Sequence, residues 1–129
     1  MSDEQRLLDL NRLTLDAESR PPDPIEGQPW DEFLSSVLTD DFIRRRGRAT
    51  LPHQDRDDFV AFARGASDAS RIIVGEPKVW VGGDLGVVTC DVRLGDDDTM
   101  RFRNVKVFTR SPDWRCAYWQ VTSFEPSAP

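Results

Sequence analysis

The sequence contains few of the residues on which several common protein classes depend. It has two cysteines, Cys90 and Cys116, and a single histidine, His53. Two cysteines inside strand-like runs do not form the disulfide framework of a small secreted domain, so we expect two reduced, buried thiols. His53 has no partner residues at metal-ligand spacing, and we therefore expect no metal site and no cofactor.

The chain also lacks long apolar runs and an excess of basic residues. No stretch approaches the ~20 apolar residues of a membrane span, and the N-terminal segment MSDEQRLLDL lacks the pattern of a signal peptide. The formal net charge is −6, which disfavours nucleic acid and anionic membrane surfaces as partners. We therefore expect a cytoplasmic protein that binds neither.

Three amphipathic helical segments occupy the N-terminal half. Ser2 and Gln5 have capping-box spacing ahead of a helix that runs to about Ser19. Pro29 is suited to the first turn of a second helix, and a third, over Asp55–Arg64, begins with acidic residues and ends at a glycine.

A polar stripe interrupts the apolar sector of the first helix. Asn11, Thr14 and Glu18 follow i, i+3, i+7 spacing within that sector instead of opposite it. Such a stripe indicates either buried polar groups whose hydrogen bonds are satisfied, or the lining of a wet cavity. Both interpretations are compatible with the sequence.

Strands dominate the chain from Arg71 onward, where apolar residues alternate with polar ones. Predicted strands cover 72–74, 78–81 and 85–94, and a long hairpin covers Met100–Phe124. The segment Thr39–Gly47 has the pattern of a short edge strand whose three arginines, 44–46, alternate between its sides. A solvated, charged edge explains these arginines better than an anion site on which all three converge.

Helices followed by a meander of strands predict a single α+β domain over residues 1–129. In that class, helices gather on one face of an antiparallel sheet. We therefore expect three N-terminal helices packed over a strongly curved antiparallel sheet.

Both faces of this predicted sheet are half apolar. The even positions are Val88, Cys90, Val92, Leu94, Phe102, Asn104, Lys106, Phe108, Trp114, Cys116, Tyr118 and Gln120. The odd positions are Val87, Thr89, Asp91, Arg93, Arg101, Arg103, Val105, Val107, Arg115, Ala117, Trp119 and Val121. Because a half-apolar face needs a cover, we expect the helices on one side and a second copy on the other, which gives a homodimer through the even face. A bulge in a strand would exchange the two sets beyond it.

The chain resembles the ketosteroid isomerase-like, polyketide cyclase-like (SnoaL-like) group of the nuclear transport factor 2-like superfamily. The segments that carry the resemblance are Leu10–Arg12, Leu38–Phe42, Gly86–Thr89, Arg103–Val107, Trp114–Ala117 and Gln120–Thr122. They span nearly the whole chain in the order of the family's elements. The resemblance implies a cystatin-like cone, in which helices close over the sheet around a pocket, and dimers formed through sheet faces.

By register, the resemblance implies a concave odd face and a polar, arginine-lined pocket. The ligand-binding residues it then suggests are Asn11, Trp30, Asp91, Arg93, Arg103 and Trp119. Isomerases of this group use a carboxylate base in an apolar cavity. Asp91 is flanked by Arg93, which favours the charged carboxylate and makes it a poor base, so the isomerase mechanism does not carry over.

Three functions follow from these expectations. In the first, Arg93 and Arg103 bind a small anionic or carbonyl ligand inside the cone. In the second, the protein is an isomerase, cyclase or hydratase with Asp91 as its acid–base residue. In the third, it is a dimeric interaction module whose filled pocket holds an internal Asp91–Arg93–Arg103 ion network.

Overall fold

The helices begin and end where local sequence signals place them. A computed structural model describes residues 1–47, 51–65 and 69–126. Helix α1 covers Asp3–Ser19, and the Ser2 side chain accepts a hydrogen bond from the backbone N–H of Gln5. Helix α2 covers Trp30–Val37, and helix α3 covers Arg56–Arg64 with a complete capping box between Asp55 and Asp58. The described helices include none that is long and apolar enough to cross a membrane.

Six strands form one sheet. Their bounds are β1 Leu38–Arg46, β2 Gln54–Asp55, β3 Arg71–Gly82, β4 Leu85–Leu94, β5 Arg101–Arg110 and β6 Trp114–Phe124. The order across the sheet is β2-β1-β6-β5-β4-β3. The architecture is thus the expected α+β arrangement, in which three helices cover a sheet as a cystatin-like cone.

The sheet is mixed, which corrects the expectation of a purely antiparallel one. Strand β1 runs parallel to β6, with Arg44 opposite Trp119, and pairs on its other side with the short β2. The arginine-rich strand is therefore inside the sheet, and the prediction of a solvated edge was wrong. Its partner lies more than seventy residues away in sequence, so the local pattern could not reveal the pairing.

The even positions of β4 and β5 face the helices, and the odd positions face outward. Val88, Val92 and Phe108 are almost fully buried in the core that α1 covers. The expectation that the odd face is concave was therefore wrong, and so was a dimer interface on the even face. Alternation alone could not separate the two faces, because each carries several apolar residues.

A bulge at Ala117 changes which positions of β6 face inward, from even positions before it to odd positions after it. Phe108 pairs with Cys116 and Val107 pairs with Tyr118, so Ala117 is an extra residue in the bulged strand. Cys116 therefore faces inward from an even position, and Trp119 faces inward from an odd one, with both fully buried. The two cysteines are free and buried, as predicted.

Candidate functional site

A cavity of about 230 Å³ lies between the sheet, the C-terminal half of α1, β1 and α3. Its lining is Leu15, Glu18, Arg44, Arg46, Gly47, Leu51, Phe62, Arg71, Val92, Leu94, Phe102, Asn104, Val121 and Ser123. Its apolar side chains from the sheet are Val92 and Leu94 of β4, Phe102 of β5 and Val121 of β6. The charged part of the lining, here called the basic wall, comes from α1, β1 and the start of β3 and adjoins the apolar part, since Arg46 pairs with Val121 and Arg71 with Leu94.

The alternation of β1 places two of its three consecutive arginines inside the cone. Arg44 pairs with Trp119 and Arg46 with Val121, and both partners face inward. Arg45 pairs with Gln120 and is exposed on the outer side. The sequence argument that the three side chains cannot converge was correct, but two of them share the inner face.

Arg44 is held in one place by polar and aromatic contacts. Its Nη2 donates to Glu18 Oε2 at 3.0 Å, and its Nη1 donates to Gln54 Oε1 at 3.2 Å. The guanidinium lies 5.0 Å from the Phe59 ring and 5.1 Å from the Trp119 ring. Burial lowers the pKa of Arg44 and the charge of Glu18 opposes that shift, but an arginine of such high intrinsic pKa remains protonated.

Arg71 and Arg46 complete the basic wall. Arg71 Nη1 donates to the backbone oxygens of Glu18 and Ala69 at 3.0 and 2.8 Å. Arg46 lies over the Phe62 ring at 5.3 Å and donates from Nη2 to the Pro52 oxygen at 3.4 Å. The Nε atoms of Arg44 and Arg46 are buried and have no hydrogen-bond acceptor among the described residues.

Basic groups outnumber acidic ones among the described residues that line the cavity. Arg44 is paired with Glu18, whereas the contacts of Arg46 among the described residues are the Phe62 ring and the Pro52 oxygen, neither of which is an anion. The whole chain carries −6, so this basic cluster has the opposite sign from the protein as a whole. A buried cation without a counter-charge is costly, and an anion would remove this cost.

Lys106 is a further basic residue of the interior. It lies on β5, two residues beyond Asn104, and is not part of the lining of the cavity. Its Nζ donates to Asn11 O at 3.2 Å, Asn11 Oδ1 at 2.9 Å and Thr14 Oγ1 at 2.8 Å. It also lies 4.0 Å from the centre of the Trp119 ring. Burial lowers its pKa to about 8. The polar stripe of α1 thus has both predicted roles, because Asn11 and Thr14 satisfy Lys106 while Glu18 lines the cavity.

The predicted site residues separate into two groups. Asn11 and Trp119 lie inside the cone, next to Lys106, but neither lines the cavity directly. Trp30 is also buried, and its Nε1 donates to the Ala17 oxygen at 2.8 Å, which joins α2 to α1.

Asp91, Arg93 and Arg103 lie outside the cone, so their predicted placement in the pocket was wrong. Asp91 and Arg103 form a two-point ion pair of 2.8 and 3.1 Å on the outer face, where the Arg103 side chain is 57% exposed. Arg93 Nε donates to the Gly95 oxygen at 2.9 Å. The internal ion network required by a filled pocket is therefore not formed by these residues.

The sequence analysis did not assign Arg44, Arg46 or Arg71 to the cavity. It also did not predict that Glu18 pairs with Arg44. A usable signal was the i, i+2, i+4 spacing of Phe42, Arg44 and Arg46. Phe42 is fully buried, so the arginines on its side of the strand also point toward the core.

No protein-family model matches the chain, and a search of curated proteins also found no match. Several solved structures do share its fold. An NTF2-like protein from Cytophaga hutchinsonii is 14% identical, with 96% of this chain and 100% of that chain covered at a TM-score of 0.69. A candidate ketosteroid isomerase from Parabacteroides distasonis is 15% identical, with 97% and 90% covered at 0.69. A cystatin-like fold protein from Burkholderia xenovorans is 13% identical, with 95% and 92% covered at 0.66. The chain therefore has the cone fold of the nuclear transport factor 2-like proteins.

Proposed function

We propose that the cone binds a small carboxylate with an apolar body. The observation that carries this proposal is the mixed lining of the cavity, in which arginine side chains and one glutamate lie beside aliphatic and aromatic side chains. A carboxylate accepts from the basic wall, because guanidinium groups donate in a planar fork that matches its two oxygens. The body of the ligand packs against Val92, Phe102 and Val121.

The size of the cavity suits a small metabolite. Its volume of about 230 Å³ is below the range of roughly 300–1,000 Å³ that is typical of sites for drug-sized molecules. An aryl acetate or a short branched acid is of suitable size. The Nε–H groups of Arg44 and Arg46, which have no acceptor in the described part of the chain, are further donors beside this space.

Binding without catalysis is the function that the charges support best. Glu18 is the carboxylate among the described lining residues, and its Oε2 is occupied by the contact with Arg44 at 3.0 Å. An acid–base role requires a group that exchanges protons with the ligand, and a paired carboxylate is poorly suited to this.

The proposal is tested by thermal shift with phenylacetate and its neutral analogue phenylacetamide, within a panel of small aryl and branched carboxylates. Phenylacetate at about 100 times its Kd stabilises the fold by about 2.7 kcal/mol, and phenylacetamide gives a much smaller shift. Arg46→Met keeps the aliphatic contact with Phe62 but removes the charge, so we expect about 10- to 100-fold weaker binding, as for the loss of a charged hydrogen bond.

Arg45→Met is the matched control, because Arg45 is the next residue of the same strand and points outward. It should bind phenylacetate like the unchanged protein. If no carboxylate of the panel shifts the melting temperature more than its amide does, the binding function is refuted. If Arg45→Met weakens the binding of phenylacetate as much as Arg46→Met does, the effect comes from the loss of one positive charge on the protein. Arg46 would then not be part of a binding site.

We also propose that a second copy of the chain covers the outer face of the sheet, which corrects the interface expected from the sequence. The centre of this face is apolar, formed by Val87, Val105, Val107 and Tyr118. Trp80, opposite Val87, is 55% exposed, so the described part of the chain leaves this region uncovered. Charged residues, including the Asp91–Arg103 pair, surround the centre, as is usual at an interface rim.

Light scattering at micromolar concentration tests the dimer. We expect twice the mass of one chain, and a monomer for Val107→Glu, because a carboxylate would be buried at the centre of the interface. Val107→Thr is the size-matched control and should remain dimeric. A monomeric unchanged protein at every concentration would contradict the proposal.

A further inference from the structure

Lys106 is a buried ammonium group beneath the floor of the cavity. The chain has two lysines, and the other, Lys78, is exposed on β3. Lys106 is fully buried, and on β5 it lies two residues beyond Asn104, which lines the cavity. The Trp119 ring packs 4.0 Å from its Nζ, and the indole Nε1 donates to Asn104 Oδ1 at 2.7 Å.

The hydrogen bonds of Lys106 fit the charged form of the amine. An ammonium group has three N–H donors, and the three acceptors within 3.2 Å are two oxygens of Asn11 and the hydroxyl of Thr14. A neutral amine has two donors and would leave one of these acceptors without a proton. The three contacts therefore match the three donors of the ammonium form.

The acceptors of Lys106 are all neutral, and no carboxylate in the described part of the chain lies within ion-pair distance of its Nζ. The ionisable groups that face it are Cys90 of β4, Cys116 of β6, Glu18 of α1 and Arg44 of β1. Burial raises the pKa of Cys116 to about 12, so this thiol is neutral and supplies no counter-charge. Glu18 is already bound to Arg44.

Lys106 and the basic wall share one aromatic ring. The Arg44 guanidinium lies 5.1 Å from the Trp119 ring centre and Lys106 Nζ lies 4.0 Å from it, so the two cations are at most about 9 Å apart. In a desolvated interior, charges at this separation still interact appreciably. An anion placed against Arg44 and Arg46 would therefore stabilise the charge on Lys106 through the floor of the cavity.

We propose that Lys106 selects for anionic ligands, because a carboxylate in the cavity serves as its missing counter-ion and binds together with a proton taken up at Lys106. This inference rests on the proposed carboxylate site. Burial lowers the pKa of free Lys106 to about 8, and a nearby anion raises it again. Affinity for the anion is thus constant below about pH 8, and it falls by up to tenfold per pH unit between the pKa values of the free and bound states.

Calorimetry with phenylacetate at pH 7 and pH 8.5 measures this coupling. Each titration is made in Tris and in triethanolamine, which differ in ionisation enthalpy and are not anions. At pH 8.5 the apparent enthalpy should depend on the buffer and report uptake of a fraction of a proton. Lys106→Met should bind phenylacetate more weakly, with no proton uptake at Lys106, while Lys78→Met, the control, should behave like the unchanged protein.

A second measurement needs no variant. With ¹³C-labelled lysine, NMR resolves two side-chain titrations, and the titration of Lys106 should move to higher pH when phenylacetate is added while that of Lys78 stays in place. Binding of phenylacetate with no such shift and no proton uptake would overturn the inference and leave the carboxylate site intact. Absence of any binding by small carboxylates would overturn both.

Discussion

The buried ion pair between Glu18 and Arg44 gives the sharpest test of the charge distribution in the cone. The side chains are 6% and 7% exposed, and the contact distance is 3.0 Å. Glu18→Gln is nearly isosteric and keeps an oxygen that can accept from Arg44, but it removes the negative charge. Arg44 and Arg46 then line the cavity without a carboxylate among its described lining residues.

The expected cost follows from the burial of the partner that remains. Breaking a buried pair by removing one member costs about 3–5 kcal/mol, and the retained hydrogen bond to glutamine favours the lower end of that range. Since domains of this size are stable by roughly 5–15 kcal/mol, Glu18→Gln removes a large part of the total. The melting temperature should fall by roughly 10 °C or more.

Urea unfolding followed by circular dichroism at pH 7 measures the loss. Asp16→Asn is the matched control, because Asp16 lies in the same helix and forms an exposed pair of 3.7 Å with Arg12. That change should cost less than about 1 kcal/mol, since exposed pairs contribute little. Phenylacetate should stabilise the Glu18→Gln variant more than it stabilises the unchanged protein, because the ligand carboxylate replaces the lost charge. A loss for Glu18→Gln no greater than that for Asp16→Asn would refute the reasoning.

Two further predictions concern groups outside the cavity. The hydrogen bond from Trp114 and the charge of Arg110 lower the pKa of Asp3 below that of an unfolded aspartate. The stability that Asp3 contributes is therefore present above about pH 4 and is lost as the pH falls through its lower folded-state pKa, so the unfolding midpoints of the unchanged protein and Asp3→Asn should converge in acid. Cys90 and Cys116 should react slowly with a thiol reagent in the native protein, and two thiols should appear on unfolding, because both are buried and burial raises the pKa of Cys116 to about 12. Rapid labelling of native protein would show that the core around these thiols opens easily.

The elements that sequence reasoning located correctly are those whose signals are local. The cap at Ser2, the third helix near Asp55–Arg64 and the strand Leu85–Leu94 depend on residues a few positions apart. Hydrogen bonds and alternation within such short stretches are sufficient to determine where an element begins and ends. The α+β class follows from the order of these elements along the chain, whereas the cone was expected from the family resemblance.

The assignment of faces depends on contacts that are distant in sequence. Val105 and Val107 make the outer face about as apolar as the inner one, so alternation gave no preference between them. The bulge at Ala117 is a property of the pairing between β5 and β6, and it brings Trp119 inside although its position is odd. Trp119 was therefore placed correctly, while Asp91 and Arg103 were placed on the wrong side.

The charged lining of the cavity is formed by residues that the sequence analysis did not assign to a site. Phe42 is buried, so Arg44 and Arg46 on the same side of β1 must also enter the interior, where Glu18 compensates for one of them. Three apolar side chains at these positions would stabilise a cone more simply, since replacing buried ion pairs by hydrophobic residues is often neutral or favourable. Charged residues replace apolar ones in a protein core most often at positions that serve a function other than stability. Arg44 and Arg46 inside the cone of an acidic chain are therefore the residues on which the proposed carboxylate site depends.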